Sequence, residues 1–138
     1  MLQKAMLWWS ACLLLLLLCA AALSQTYNDF KKKHILPENG SRKCDDMMKN
    51  VNGINQCKRI NTFINQKAEK VKALCKGKKN EYITHKFDVI DCKMKSVKPC
   101  KYKSLALKGK KKKVKCENGL PVHLEQGIYD NFHYDSEN

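Results

Sequence analysis

Six cysteines behind an apolar leader limit the fold of this chain more than any other feature: Cys44, Cys57, Cys75, Cys92, Cys100 and Cys116. The leader has Lys4 near its start, an apolar run from Met6 to Leu23 that includes consecutive leucines from Leu13 to Leu18, and an exit through Ala22-Leu23-Ser24. A basic start, an apolar middle and small residues at the exit predict a secretory signal peptide over residues 1–24. An uncleaved anchor competes, because the run approaches the length of a membrane span. The small residues and the polar segment behind them favour cleavage, which would expose Gln25 as an N-terminal residue able to cyclise to pyroglutamate. Cys12 and Cys19 would leave with the leader. An even count of cysteines in a short secreted chain predicts three disulfides, and the count itself leaves about fifteen pairings open. A zinc site is the weaker reading, since no Cys-x-x-Cys pair exists and secretion implies an oxidising compartment.

The chain beyond the leader has the length of one domain. Lys4 is the only charged residue before Gln25, so the mature chain keeps nearly all of the formal net charge of +14. Charge of that size predicts polyanionic partners: RNA, anionic membrane surfaces or heparin-like glycans. Asn39-Gly40-Ser41 is an N-glycosylation sequon on an expected surface loop. The last residues, 130–138, carry Asp130, Asp135 and Glu137 without a lysine or arginine. They predict an acidic, mobile tail behind a domain spanning 25–129.

Tyr27, Phe30 and His34 are three and four apart, which places them on one face of a helix over Tyr27 to Ile35. A second helix is expected over Cys44 to Asn50, ended by Asn52-Gly53. A third is expected from Asn65 or Gln66 to Cys75, broken by Lys76-Gly77. The alternation of Cys57-Lys58-Arg59-Ile60-Asn61-Thr62-Phe63 suits an extended segment. Later strands are expected over Tyr82 to Cys92, Cys100 to Leu107, Lys112 to Glu117 and Pro121 to Tyr129. The basic run from Lys108 to Lys115 reads as a solvated hairpin between two of them. Helices first and strands later predict an α+β fold with an antiparallel sheet.

Three motifs carry chemistry: Lys32-Lys33-His34-Ile35, Cys57-Lys58-Arg59-Ile60-Asn61-Thr62-Phe63, and Glu117-Asn118-Gly119-Leu120-Pro121-Val122-His123-Leu124. Histidine, lysine and histidine in that order, spread over six cysteines, resemble the pancreatic ribonuclease (ribonuclease A) superfamily. The resemblance is to its three-disulfide, angiogenin-like and lower-vertebrate members, and it extends from about Gln25 to Tyr129. It implies three short helices on a bent antiparallel sheet and the pairing Cys44–Cys92, Cys57–Cys100 and Cys75–Cys116. It also implies a metal-independent endonuclease without cofactor, acting as a monomer on single-stranded RNA. The cytosolic ribonuclease inhibitor is a further partner that it suggests.

The chemistry asks for those residue types. Cleavage by the RNA 2′-hydroxyl needs a base for its proton, an acid for the departing 5′-oxygen and a cation for the phosphoryl oxygens. Two histidines suit the first two tasks near neutral pH, and a lysine suits the third. By resemblance, His34 is the base, His123 the acid and Lys58 the cation. Glu125 stands where the family usually has an aspartate that orients the second histidine. Thr62 reads a pyrimidine, Asn61 helps to hold the phosphate region, the Leu124 amide donates to phosphate, and Glu117 meets the base on the 3′ side of the cut. Lys33 replaces a usual glutamine, as in amphibian members. Gln126 corresponds to an angiogenin glutamine that occupies the pyrimidine pocket, with Ile128 supporting it. His85 and His133 match nothing and read as surface residues. The segment Lys49-Asn50-Val51-Asn52-Gly53 lacks the arginine triplet of angiogenins, which weakens an angiogenic reading. The main rival is a cationic host-defence protein that acts on bacterial membranes through its charge.

Overall fold

The computed structural model describes residues 2–126 of the chain. The acidic tail, Ile128 and His133 lie outside the described residues. Helix α1 covers Leu2–His34, α2 covers Cys44–Met47 and continues as a 3-10 turn over Met48–Asn50, and α3 covers Ala68–Leu74. The strands are β1 (Ile60–Ile64), β2 (Asn80–Val97), β3 (Cys100–Glu117) and β4 (Leu120–Glu125). They form one antiparallel sheet in the order β1-β2-β3-β4.

The helix expected over Tyr27 to Ile35 is longer than its amphipathic part. Leucine and alanine are strong helix formers, so α1 runs back without a break through the leader. Leu13 to Leu18 are all exposed there, whereas Phe30, in the amphipathic part, is 2% exposed. The helix expected over Cys44 to Asn50 divides into an α-helical turn and a 3-10 turn.

The lysine run departs from its sequence-based expectation. Lys108 to Lys115 is not a hairpin; it lies inside β3, with Lys110 to Lys115 in register against β2. A glycine among lysines resembles a turn, yet Gly109 sits beside a bulge between Phe87 and Val89 of β2. Its amide donates to Asp88 Oδ1 at 3.0 Å. A bulge bends a strand without ending it. The tight turn falls later, where Asn118 and Gly119 both have positive φ (48° and 79°) and join β3 to β4. That is the two-residue hairpin geometry that Asn-Gly favours.

Two cores flank β1. Ile64 joins Phe30, Val71, Phe87, Val114 and Leu124 on one side. Phe63 joins Leu36, Met47, Met48 and Tyr102 on the other. Adjacent strand residues point to opposite faces, so β1 is shared between the two halves. Its buried polar residues, Asn61 and Thr62, stand where the halves meet. Disulfides Cys44–Cys92, Cys57–Cys100 and Cys75–Cys116 close separations of 48, 43 and 41 residues. Loops of that size contribute roughly 4 kcal/mol each in the chain-entropy account.

Candidate active site

The end of α1 meets β1 at His34. Its ring lies 5.5 Å from that of Phe30, and its Nδ1 donates to Thr62 O at 3.0 Å. A carbonyl only accepts, so Nδ1 carries the proton and Nε2 keeps a lone pair. The His34 pKa is lowered to about 4, first by burial, against the opposing Thr62 bond, and then by the charges of Lys58, His123 and Lys33. A neutral imidazole surrounded by cations is suited to accept a proton at neutral pH.

Asn61 is the hub between α1 and Lys58. Its Nδ2 donates to Lys33 O at 2.7 Å, which satisfies a carbonyl of the last helical turn. Its Oδ1 accepts from Lys58 Nζ at 2.8 Å. The Lys58 backbone is held twice more: its N–H donates to Asn52 Oδ1 at 2.9 Å, and its carbonyl accepts from Tyr102 Oη at 2.7 Å. Asn52 Nδ2 in turn donates to Tyr102 Oη at 3.0 Å. Tyr102 N donates to Asp45 Oδ1 at 2.7 Å, which ties this clamp to α2. Burial, followed by the nearby Lys33 charge, lowers the Lys58 pKa.

His123 is exposed on β4, opposite Lys115 of β3. Glu125 comes two positions later on the same face, and among the described residues no hydrogen bond joins it to His123. Leu124, between them, is 1% exposed and packs into the core. Glu117, at the end of β3, is paired with Lys115 at 3.3 Å.

Thr62 links two further groups. Its hydroxyl is 2.6 Å from Asp91 Oδ1 and donates to it. Gln126 also reaches Thr62. Its amide is satisfied when Oε1 accepts from Thr62 N at 2.9 Å and Nε2 donates to Ile60 O at 3.0 Å. The opposite orientation would point the amide oxygen at the Ile60 carbonyl.

The structure thus gathers His34, Lys58, Asn61 and Thr62 around β1, and places His123 on β4, opposite Lys115. Lys33 supplies its carbonyl to this hub, while its side chain stays exposed. Asn39 is exposed on the loop between α1 and α2, and His85 is exposed with its ring 4.9 Å from Phe87. Gln25 lies within the backbone of α1. Asn52, Tyr102 and Asp91 do not stand out in the sequence. Asn52 reads only as a helix stop, and the other two carry no local signal.

The pancreatic ribonuclease family matches residues 25–125, most of the chain. The chain belongs to the pancreatic ribonuclease family. Angiogenin of Saguinus oedipus is 42% identical to this ribonuclease over 117 residues, covering 75% of this chain and 79% of angiogenin. Protein P-30 of Lithobates pipiens is 42% identical over 103 residues, covering 72% of this chain and 94% of its own. The X-ray structure of zebrafish RNase5 superposes with a TM-score of 0.64 at 26% identity, covering 78% of this chain and 98% of that one. As a pancreatic-type ribonuclease, the chain is an RNA endonuclease.

Proposed function

We propose that this ribonuclease is secreted and cleaves single-stranded RNA on the 3′ side of pyrimidines, through a 2′,3′-cyclic phosphate. His34 Nε2 takes the proton of the 2′-hydroxyl, and that oxygen attacks the adjacent phosphorus. His123 gives a proton to the departing 5′-oxygen. Lys58 Nζ stabilises the charge that gathers on the phosphoryl oxygens. In hydrolysis of the cyclic phosphate the two histidines exchange roles. Thr62 reads the pyrimidine through its amide and hydroxyl, and Gln126 occupies the amide, so turnover is held low. Glu125 orients His123, the Leu124 amide meets phosphate, and Glu117 meets the following base.

The observation that carries this reading is the bond from His34 Nδ1 to Thr62 O. It fixes the tautomer that leaves Nε2 basic and aims that atom from the strand that also bears the base-reading residue. Secretion is supported by the exposed leucines of the leader and by a family match that begins at residue 25. Cleavage after Ser24 would release residues 25–129 as the catalytic domain with the acidic tail behind it.

The test is cleavage of a uridine-adenosine dinucleotide by refolded residues 25–138, with the His123→Ala variant beside it. Loss of the acid is expected to lower the rate by about 10²–10⁴. Equal rates in the two proteins would remove His123 from the mechanism.

A further inference from the structure

We infer that Lys86, Lys111 and Lys113 form a phosphate track that holds an RNA strand beyond the two nucleotides at the cut. The inference rests on the ribonuclease reading above and extends its substrate from a dinucleotide to a long strand.

The register of the sheet builds the track. Lys115 lies opposite His123 and Lys113 opposite Glu125. On the other side of β3, Tyr82 faces Lys115, Thr84 faces Lys113 and Lys86 faces Lys111. Residues paired across an antiparallel ladder project from one face. The reverse face is core, where Val114 is 0% exposed between Ile83 and Leu124. The lysines therefore share the face of His123 and lead away from it along β3, about 7 Å apart.

Their setting favours an external anion. Lys86 and Lys111 are directly opposite like charges, an arrangement that destabilises a sheet in the absence of counter-charge. The carboxylates on this face are Asp88, which accepts from the Gly109 amide, Glu117, already paired with Lys115, and Glu125, opposite Lys113. Lys86, Lys111 and Lys113 are all exposed. Continuity with His123 selects the ligand: a strand seated at His123 has further phosphates to place, and the row starts one step along the ladder from that histidine, at Lys113 opposite Glu125.

The test is the triple variant Lys86→Gln, Lys111→Gln, Lys113→Gln, compared with a charge-matched control, Lys43→Gln at the start of α2 with Lys95→Gln and Lys98→Gln at the far end of the β2–β3 ribbon. Each protein is assayed on a uridine-adenosine dinucleotide and on long single-stranded RNA across a salt series. Binding of that RNA is measured in parallel. In the track variant, dinucleotide kcat/KM should stay within about twofold, since exposed substitutions perturb the fold little. On long RNA, kcat/KM should fall about tenfold or more at low salt, and the slope of log affinity against log salt should shrink by about 0.7 per lost contact, roughly 2 in all. The control should keep the parent's slope. Equal losses in the control, or equal losses on the dinucleotide, would overturn the track. So would unchanged RNA binding with weakened binding to heparin, which would make the surface a glycan site. Failure of the parent to cleave the dinucleotide would sink the ribonuclease reading alone, because the RNA-binding slopes would still decide the track.

Discussion

Gln126 accepts from Thr62 N at 2.9 Å through its amide oxygen while its nitrogen donates to Ile60 O at 3.0 Å, so the residue after β4 is fastened across β1 at the position proposed to read the base. A pyrimidine and Gln126 compete for the same amide. Two such bonds are worth roughly 1–3 kcal/mol net. Gln126→Gly should therefore raise kcat/KM on a uridine-adenosine dinucleotide by about tenfold, at about 1.4 kcal/mol per factor of ten. Initial rates on the refolded variant check this, and an unchanged rate would mean that the pocket is already open in solution.

Lys58 is held by backbone bonds on both sides, from Asn52 and Tyr102, so these two would be positioning residues for the cation proposed to stabilise the transition state. Tyr102→Phe keeps the buried ring and removes the donor to Lys58 O. It should lower kcat about tenfold with little change in KM, and it should lower stability by about 1 kcal/mol. Asn52→Ala should act in the same direction, while Asn52→Asp, which retains an acceptor for the Lys58 amide, should recover most of the rate. Steady-state kinetics decide the matter: a rise in KM at constant kcat would show that the clamp serves binding rather than the chemical step.

The depressed pKa of His34 has two readouts. In the free enzyme, the acidic limb of kcat/KM should fall near pH 4 rather than near 6.5, because His34, the proposed base, stays neutral down to its own pKa. A histidine that titrates lower in the folded state binds fewer protons there than in the unfolded chain between these two values. Stability is therefore full above about pH 6.5 and declines as pH falls towards 4, by up to roughly 3 kcal/mol from this group. Thermal melting of the parent and of His34→Ala across pH 4–7 checks the sign: the variant should show the flatter profile, and a parent more stable at pH 5 than at pH 7 would contradict the assignment.

Local patterns in the sequence are enough to single out His34, Lys58 and His123 as candidates, because each sits within a short motif of distinctive composition. The spacing of Phe30 and His34 on one helix face is equally local. The clamp around Lys58 is not, since Tyr102 lies 44 residues away from the carbonyl it binds. Asp91 is 29 residues from Thr62 and touches it only because β1 pairs with β2. The lysine run misleads for a related reason. Its composition is that of a turn, and only pairing with β2, with a bulge to absorb the bend, keeps it a strand. The continuous α1 shows propensity acting where the described leucines, Leu13 to Leu18, are exposed.

The Thr62–Asp91 bond makes a prediction about base choice. Thr62 has one hydroxyl proton, and at 2.6 Å it is given to Asp91 Oδ1, so towards the pocket the hydroxyl can only accept. Uracil presents a ring N–H at N3, which matches an acceptor. Cytosine presents a lone pair there, and binding it obliges the hydroxyl to turn and abandon a carboxylate that is 1% exposed. Leaving a buried acceptor without its donor costs about 1–3 kcal/mol. The parent should therefore prefer uridine over cytidine on the 5′ side of the cut. Asp91→Ala should narrow that preference severalfold by freeing the hydroxyl to donate or accept. The check is the ratio of kcat/KM for uridine-adenosine and cytidine-adenosine dinucleotides in both proteins, in the Gln126→Gly background so that the pocket is open. An identical ratio in the two would show that Asp91 supports the fold and takes no part in choosing the base.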